Sequence, residues 1–248
     1  MSKTQFVWFY IQREAIADEM RYSMRSVCQY FDGDAQLTVV GDRPPWYTGH
    51  YIPAERVSPP AEAKFHGLAD TIHKLQIAVN HPEVQEQFVS MMDDNYFLRR
   101  VKLSTLCVPR VASAWRPKTH DWWNIAITRT MQELERRGLP TNLYETHLMH
   151  VFEKDKLRKL FDMFQLRNRL LLRNTLYGNV FRKSPKRCGS FVATPQTRQS
   201  VRQLDAIAKH STVLNHASHC WDATMQAWLS GRLATPASVE APQQAVFV

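Results

Sequence analysis

The chain has 248 residues and a mass of 28.9 kDa, enough for one large domain or a domain with a substantial appendage. Hydrophobic residues make up 44% and charged residues 22%, which excludes a disordered chain, and 8 Gly with 13 Pro exclude collagen-like or low-complexity sequence. The net charge of +9 is unevenly spread: Lys154 to Lys209 holds 14 basic and 3 acidic residues, so the remainder is slightly acidic. Such a segment reads as an electrostatic footprint for a polyanion, with nucleic acid the favoured partner.

No apolar run approaches the ~18 residues of a membrane span, and the N-terminus has no long apolar stretch of a signal peptide. A soluble, cytoplasmic protein without membrane contact is the expectation. Cys28, Cys107, Cys188 and Cys220 form neither a CxxC pair nor a disulfide framework.

In chain order, Thr4–Gln12 is an apolar, aromatic and β-branched run of strand length, fit for burial on both faces. Met20, Met24, Val27 and Cys28 repeat at helical spacing within Ile16–Tyr30. Gln36–Gly41 is a second strand, ended by Asp42-Arg43-Pro44-Pro45, which cannot continue a ladder. Helix returns over Ala61–Val79, and Gln87–Met92 is a third strand running into Asp93-Asp94-Asn95. This alternation predicts an α/β fold with a mostly parallel sheet flanked by helices, whose ligands sit at the carboxyl ends of the strands.

The second half reads as helical and basic. Asp121 caps a helix ending at Arg137 with Gly138 as its stop; Glu153–Phe164 and Leu166–Tyr177 follow, the latter interleaving arginines with leucines. Ser184–Ser190 is a basic loop. Thr194-Pro195 opens a helix with Val201, Leu204, Ile207 and Ala208 inward, and Ser218–Leu229 is the last. The organisation expected is a core over 1–150, a helical basic part packed on it over 151–233, and a loose tail over 234–248.

The sharpest chemical signal is Asp93-Asp94-Asn95. Two carboxylates in a turn after a buried strand need a compensating cation, and a hard divalent ion with oxygen ligands can bridge them to a diphosphate. That is the logic of the DxD-type motif of nucleotide-sugar transferases.

Three ordered blocks surround this signal. Asp18–Ser26 resembles the E-L-R-Y-S-L-R-S helix of the Stealth-type sugar-phosphate transferases. Phe88–Leu98 is similar to their F-L-Y-L-N-D-D-V-F-L segment, and Val39–Trp46 to their strand and P-P-W turn. The R-S-P-type segment downstream in that family is absent. Instead, Tyr144–Met149 and Leu176–Asn179 resemble segments of the phage TET-associated glycosyltransferases. The resemblance implies a GT-A-like nucleotide-binding fold, a UDP-sugar donor with Mn2+ or Mg2+, and transfer of the sugar to the hydroxyl of a hydroxymethylated pyrimidine in phage DNA. The alternative is a Stealth-like transfer of a sugar or sugar-phosphate to a polysaccharide.

Site roles follow, from the resemblance for the nucleotide contacts and from residue chemistry, spacing and charge for the rest. Tyr10, Gln12 and Arg13 end the first strand, where GT-A folds hold the nucleotide, and Asp42 ends the second. Arg21 and Lys74 stand on helices near the strand ends, within reach of phosphates or as ordinary surface charges. Asp93, Asp94 and Asn95 are the metal set. His147, two residues beyond Glu145 on an extended segment, is a metal or diphosphate contact, and Glu145 a general base, with Asp94 also counted as catalytic. Asp121 is a rival base already explained as a helix cap. Arg182, Lys183, Lys186 and Arg187 are the DNA contacts. His216, His219 and Cys220 lack a fourth zinc ligand at standard spacing. Trp122, Trp123, Trp221 and Trp228 either stack on bases or, as their helical setting favours, pack in the core.

Overall fold

The computed structural model describes residues 3–57, 66–112, 121–166, 169 and 171–241. Its elements are β1 (Thr4–Tyr10), α1 (Glu19–Tyr30), β2 (Ala35–Gly41), β3 (His50–Pro53), α2 (His66–Asn80), β4 (Gln87–Met91), β5 (Tyr96–Phe97), α3 (Leu103–Leu106), β6 (Arg110–Val111), α4 (Trp122–Arg136), β7 (His150–Glu153), α5 (Lys154–Phe164), α6 (Arg173–Phe181), β8 (Lys186–Arg187), β9 (Val192–Ala193), α7 (Val201–His210), β10 (Val213–Leu214) and α8 (Ala223–Arg232).

The main sheet has the order β3-β2-β1-β4-β7. β1 pairs in parallel with β2 and β4, and β2 with β3; only β7 runs antiparallel, along β4. Being central, β1 is buried on both faces, which explains its unbroken apolar run. Its side chains alternate. Val7 faces a core built with Ile72 and Leu75 of α2 and Leu157, Leu160 and Phe161 of α5; Phe6 and Trp8 face the opposite core, with Met20, Met24 and Val27 of α1. The three strands and most helices expected from periodicity are therefore present, with α1 beginning three residues later than Ile16.

The basic second half is not a separate layer. The expected boundary after residue 150 falls inside β7, whose Val151 and Phe152 complete the two cores. β10 pairs antiparallel with β5 and parallel with β9. The helix expected from Thr194 starts only at Val201, where Ser200 and Gln203 form a capping box; Val201 is exposed rather than inward, while Leu204 and Ala208 are buried.

The tail is not loose over 234–241. Ala237 is buried, and Glu240 forms a two-pronged ion pair with Arg25 of α1, both bonds at 2.7 Å. Segment composition predicts mobility only when no buried charge elsewhere needs a partner, and here Arg25 needs one. Residues 242–248 lie outside the described residues.

His150, at the start of β7, stacks on Phe152 with ring centroids 5.9 Å apart, and its Nε2 is buried without a hydrogen-bond partner. Burial, then the charges of Arg173 and Arg182, lowers its pKa to about 3 from 6.5. The unfolded chain takes up this proton near 6.5 and the folded chain only near 3, so stability falls as pH drops through that window. Thermal melts of His150→Leu should be flatter than wild type between those limits.

Candidate active site

The carboxyl ends of β1, β2 and β4 meet at one rim of the sheet, because these three strands are parallel and in register: Tyr10 lies opposite Gly41, and Trp8 opposite Met91. Gly41 has φ of +130°, and a Cβ there would lie 2.2 Å from the Tyr10 carbonyl, so only glycine lets the chain leave β2 at this point. Beyond it, Asp42 accepts a 2.8 Å hydrogen bond from the Gln12 amide. Gln12, Arg13 and Asp42 thus share one open cleft of about 440 Å3, with Ile11 and Arg56. Arg56 is ion-paired with Glu14. Tyr10 is buried beneath the cleft, its hydroxyl donating to Gln12 Oε1 at 3.2 Å.

The acidic turn follows β4, and α1 holds it there. The Ser23 hydroxyl lies 2.8 Å from the Asn95 carbonyl and 3.2 Å from that of Met92, and accepts from the Trp8 indole at 3.0 Å. Ser26 accepts from the Phe97 amide at 3.0 Å. The two serines that punctuate Arg21-Tyr22-Ser23-Met24-Arg25-Ser26 are therefore the supports of the Asp93-Asp94 turn.

Negative charge is concentrated here. Asp94 is pushed up to about 7 by burial and then by Asp93, and Asp93 is raised by burial. Glu19, in the first turn of α1 and buried, rises to about 8 through burial and then the charge of Asp93. Tyr10 is pushed up to about 12 by burial, then Asp93 and Asp42.

Among the described residues, no group of three or more His, Cys, Asp or Glu side chains converges to hold a metal ion. A magnesium-type ion does not require one: one or two carboxylates suffice where substrate phosphates and water complete the shell. Asp93 and Asp94 supply hard oxygen ligands, and neighbouring Asn95 has a fully buried Oδ1 with no hydrogen-bond partner. On donor chemistry the turn fits such an ion.

Other expected site residues have different partners. Lys74 is 1% exposed and ion-paired with Asp70 one helical turn earlier, so it is sealed beneath Gly41 rather than turned to a phosphate. Arg21 stacks over Trp46 at 4.9 Å and lies 3.4 Å from Asp18 and 3.5 Å from Glu240. His147 adopts a left-handed backbone, φ 50°, and meets the turn through its carbonyl, which accepts from Asn95 Nδ2 at 3.1 Å and Asn215 Nδ2 at 2.8 Å. Its exposed ring lies 6.3 Å from that of Trp123.

Glu145 is engaged at the start of α6. Its carboxylate accepts from the Thr175 amide at 3.0 Å, the Thr175 hydroxyl at 3.2 Å and Asn174 Nδ2 at 2.9 Å. It thereby satisfies an orphan N–H at the start of α6, where the helix dipole also favours negative charge. The block Tyr144–Met149 meets the block Leu176–Asn179 for packing reasons: a Cβ at Gly178 would lie 2.4 Å from the Tyr144 ring.

The basic segment divides. Lys154 is buried and donates to the His81 and Val84 carbonyls, Arg169 pairs with Glu133, and Arg182 donates to the Val151 carbonyl and lies over Tyr177. Lys183, Lys186 and Arg187 are exposed, the last two on β8, which pairs in parallel with β6 so that Arg110 stands beside Lys186. His216, His219 and Cys220 have separate partners: Tyr96, the Gln196 carbonyl and the Pro195 carbonyl. Trp221 and Trp228 pack on a satellite core; Trp122 is 37% exposed.

Two residues of the site region had no role in the sequence reading: Glu19, beside the turn, and Arg56, in the cleft. His216, weighed in the sequence only as a zinc ligand, has its Nε2 3.0 Å from the Tyr96 hydroxyl and 3.7 Å from Glu19. Only Glu19 had a usable signal, as an acidic residue opening a helix that follows the first strand.

No protein-family model matches the chain, and no curated protein matches it in sequence. Solved structures do. The chain is similar to an active-site mutant of LgtC, with a TM-score of 0.53 and 10% identity, over 97% of this chain and 98% of that one. It is also similar to the bifunctional glycosyltransferase WbbM, with a TM-score of 0.51 and 8% identity, over 95% of this chain but 50% of WbbM. Among the described residues no helix is long and apolar enough to cross a membrane. The parallel sheet, its flanking helices and these likenesses together show that the chain has a GT-A-type glycosyltransferase fold.

Proposed function

We propose that the protein is a nucleotide-sugar-dependent glycosyltransferase. The observation that carries this reading is the Asp93-Asp94 turn, held by Ser23 at the carboxyl end of β4 beside the cleft of Gln12, Arg13, Asp42 and Arg56. In this reading the cleft residues bind the nucleotide: Gln12 and Asp42 offer hydrogen bonds to base and ribose, and Arg13 offers positive charge, Arg56 being paired with Glu14. Asp93 and Asp94 would hold Mn2+ or Mg2+. Such an ion, when bound, neutralises charge developing on the nucleoside diphosphate leaving group. UDP is the first donor nucleotide to try, as the resemblance implies.

The acceptor is read as DNA bearing a hydroxymethylated pyrimidine. This rests on the phage-type resemblance and on the exposed cations Lys183, Lys186 and Arg187 beside Arg110. Arg182, bound to the Val151 carbonyl, drops out of the contact set.

Incubation with metal, a panel of nucleotide-sugars and hydroxymethylated DNA, followed by mass measurement of the digested nucleosides, tests the whole reading. A donor nucleoside diphosphate with Mn2+ at 100 times its Kd should stabilise the fold by about 2.7 kcal/mol, or roughly 5–10 °C in melting temperature. No shift with any nucleoside diphosphate would defeat the donor assignment. Combined Lys183→Glu, Lys186→Glu and Arg187→Glu should reduce the salt-dependence slope of DNA binding by about 2–3, near 0.9 per lost phosphate contact. Donor binding should be unaltered. DNA transfer untouched by the three reversals would point to another acceptor.

A further inference from the structure

We propose that residues 234–241 support the donor site, with Glu240 as a positioning residue that fixes the segment from Asp42 to Thr48, whose first residue, Asp42, lines the cleft. This inference rests on the donor reading given above. Residues 234–241 reach this segment from the far end of the chain. The Thr48 amide and hydroxyl donate to the Val239 carbonyl at 2.7 and 2.9 Å, the Ala241 amide donates to the Trp46 carbonyl at 2.7 Å, and Tyr47 and Glu240 form an antiparallel bridge.

One side chain joins that segment to α1. The Glu240 carboxylate, 5% exposed, takes both prongs of Arg25 and lies 3.5 Å from Arg21, whose guanidinium covers the Trp46 ring. Its Oε1 also accepts from the Ala237 amide at 2.8 Å, and Arg25 Nη1 donates to the Leu233 carbonyl at 3.1 Å. The segment itself begins at Asp42, which lines the cleft and holds the Gln12 amide, while Arg43 Nε donates to the Tyr47 carbonyl at 3.1 Å.

Sheer coverage of apolar surface would need only contacts such as that of buried Ala237. Exchanging a whole buried ion pair for apolar groups changes stability little because both charges are desolvated, whereas removing one partner strands the other charge and destabilises the fold; the intact pair also admits one geometry. Here that geometry sets where Asp42 stands relative to α1 and the acidic turn. None of the sheet's strands includes Glu240, so loss of the pair acts first on the Asp42–Thr48 segment rather than on the strand ladder, and the thermal melts separate this from a general loss of stability.

The test uses the full chain carrying Glu240→Gln, with Glu240→Asp as a second variant that keeps the buried charge but withdraws it by one methylene. Ser200→Ala, which removes the distant cap of α7, is the stability control. Affinity for UDP with Mn2+ is measured by calorimetry well below the melting temperature, together with donor KM, kcat and DNA affinity. Expected results are a tenfold or greater loss of UDP affinity and rise in donor KM for Glu240→Gln, a smaller loss for Glu240→Asp, and unchanged DNA affinity in both. Ser200→Ala should bind UDP like wild type. If wild type binds UDP and both Glu240 variants bind it equally well, the inference is overturned and the donor reading stands. UDP affinity falling in step with melting temperature in all three variants overturns it too. Failure of wild type to bind any nucleoside diphosphate defeats the donor reading itself.

Discussion

Asp93→Asn and Asp94→Asn should each lower transfer by about 100-fold or more, while the folded chain melts at the same or a higher temperature. The loss follows from several kcal/mol of charge stabilisation on the leaving group, at tenfold for each 1.36 kcal/mol. The retained stability follows from the turn's own electrostatics: Asp93 and Asp94 stand beside buried Glu19, and the raised pKa values of Glu19 and Asp94 record burial and mutual repulsion. Removing one carboxylate relieves that repulsion, and the contacts of Ser23 with the turn involve backbone carbonyls that an Asp→Asn change leaves in place. Turnover assays paired with thermal melts check both halves. Full activity in both variants, or in excess chelator, would end the metal assignment.

Glu145→Ala should destabilise the protein by about 2–3 kcal/mol, since it removes a charged cap and three accepted hydrogen bonds at the start of α6. That corresponds to a melting temperature lower by roughly 5–10 °C. Arg173, whose pKa burial lowers and the Glu145 charge raises, also loses a neighbouring counter-charge. Glu145→Gln keeps an acceptor oxygen and should leave kcat within severalfold of wild type below the transition. A general base at this position would instead cost about 10²–10⁴ in kcat, so the Gln variant decides between cap and base.

Features legible in the sequence are separated from the rest by distance along the chain. β1, β2 and β4 were legible because burial on both faces leaves runs dominated by apolar residues, interrupted inside β2 by Thr38 and inside β4 by Ser90. The cap at Asp121, accepting from Asn124 N at 2.8 Å, was legible because cap and acceptor are three residues apart. The acidic turn was legible because two adjacent carboxylates after a buried strand are chemically costly wherever they fall. The capping contact of Glu145 was illegible for a related reason: its spacing to His147 was visible, but the start of α6 that it caps lies 30 residues on.

By itself, then, the sequence determined the α/β alternation, the three central strands β1, β2 and β4 of a mostly parallel sheet and the end of it where Asp93 and Asp94 stand, since each is written in neighbouring residues whose periodicity or charge has few physical solutions; edge strands β3 and β7 were not legible. Only the tertiary structure decided which polar groups meet. Ser23 supports Asn95 across 72 residues, and Glu240 neutralises Arg25 across 215. It also decided that Lys74 is sealed against Asp70 and that much of the basic segment is spent on internal bonds. Single charged or hydroxyl side chains carry no periodic signal, and each can pair with many others. The choice among them is made only when packing of the apolar faces brings one pair together and excludes water from it.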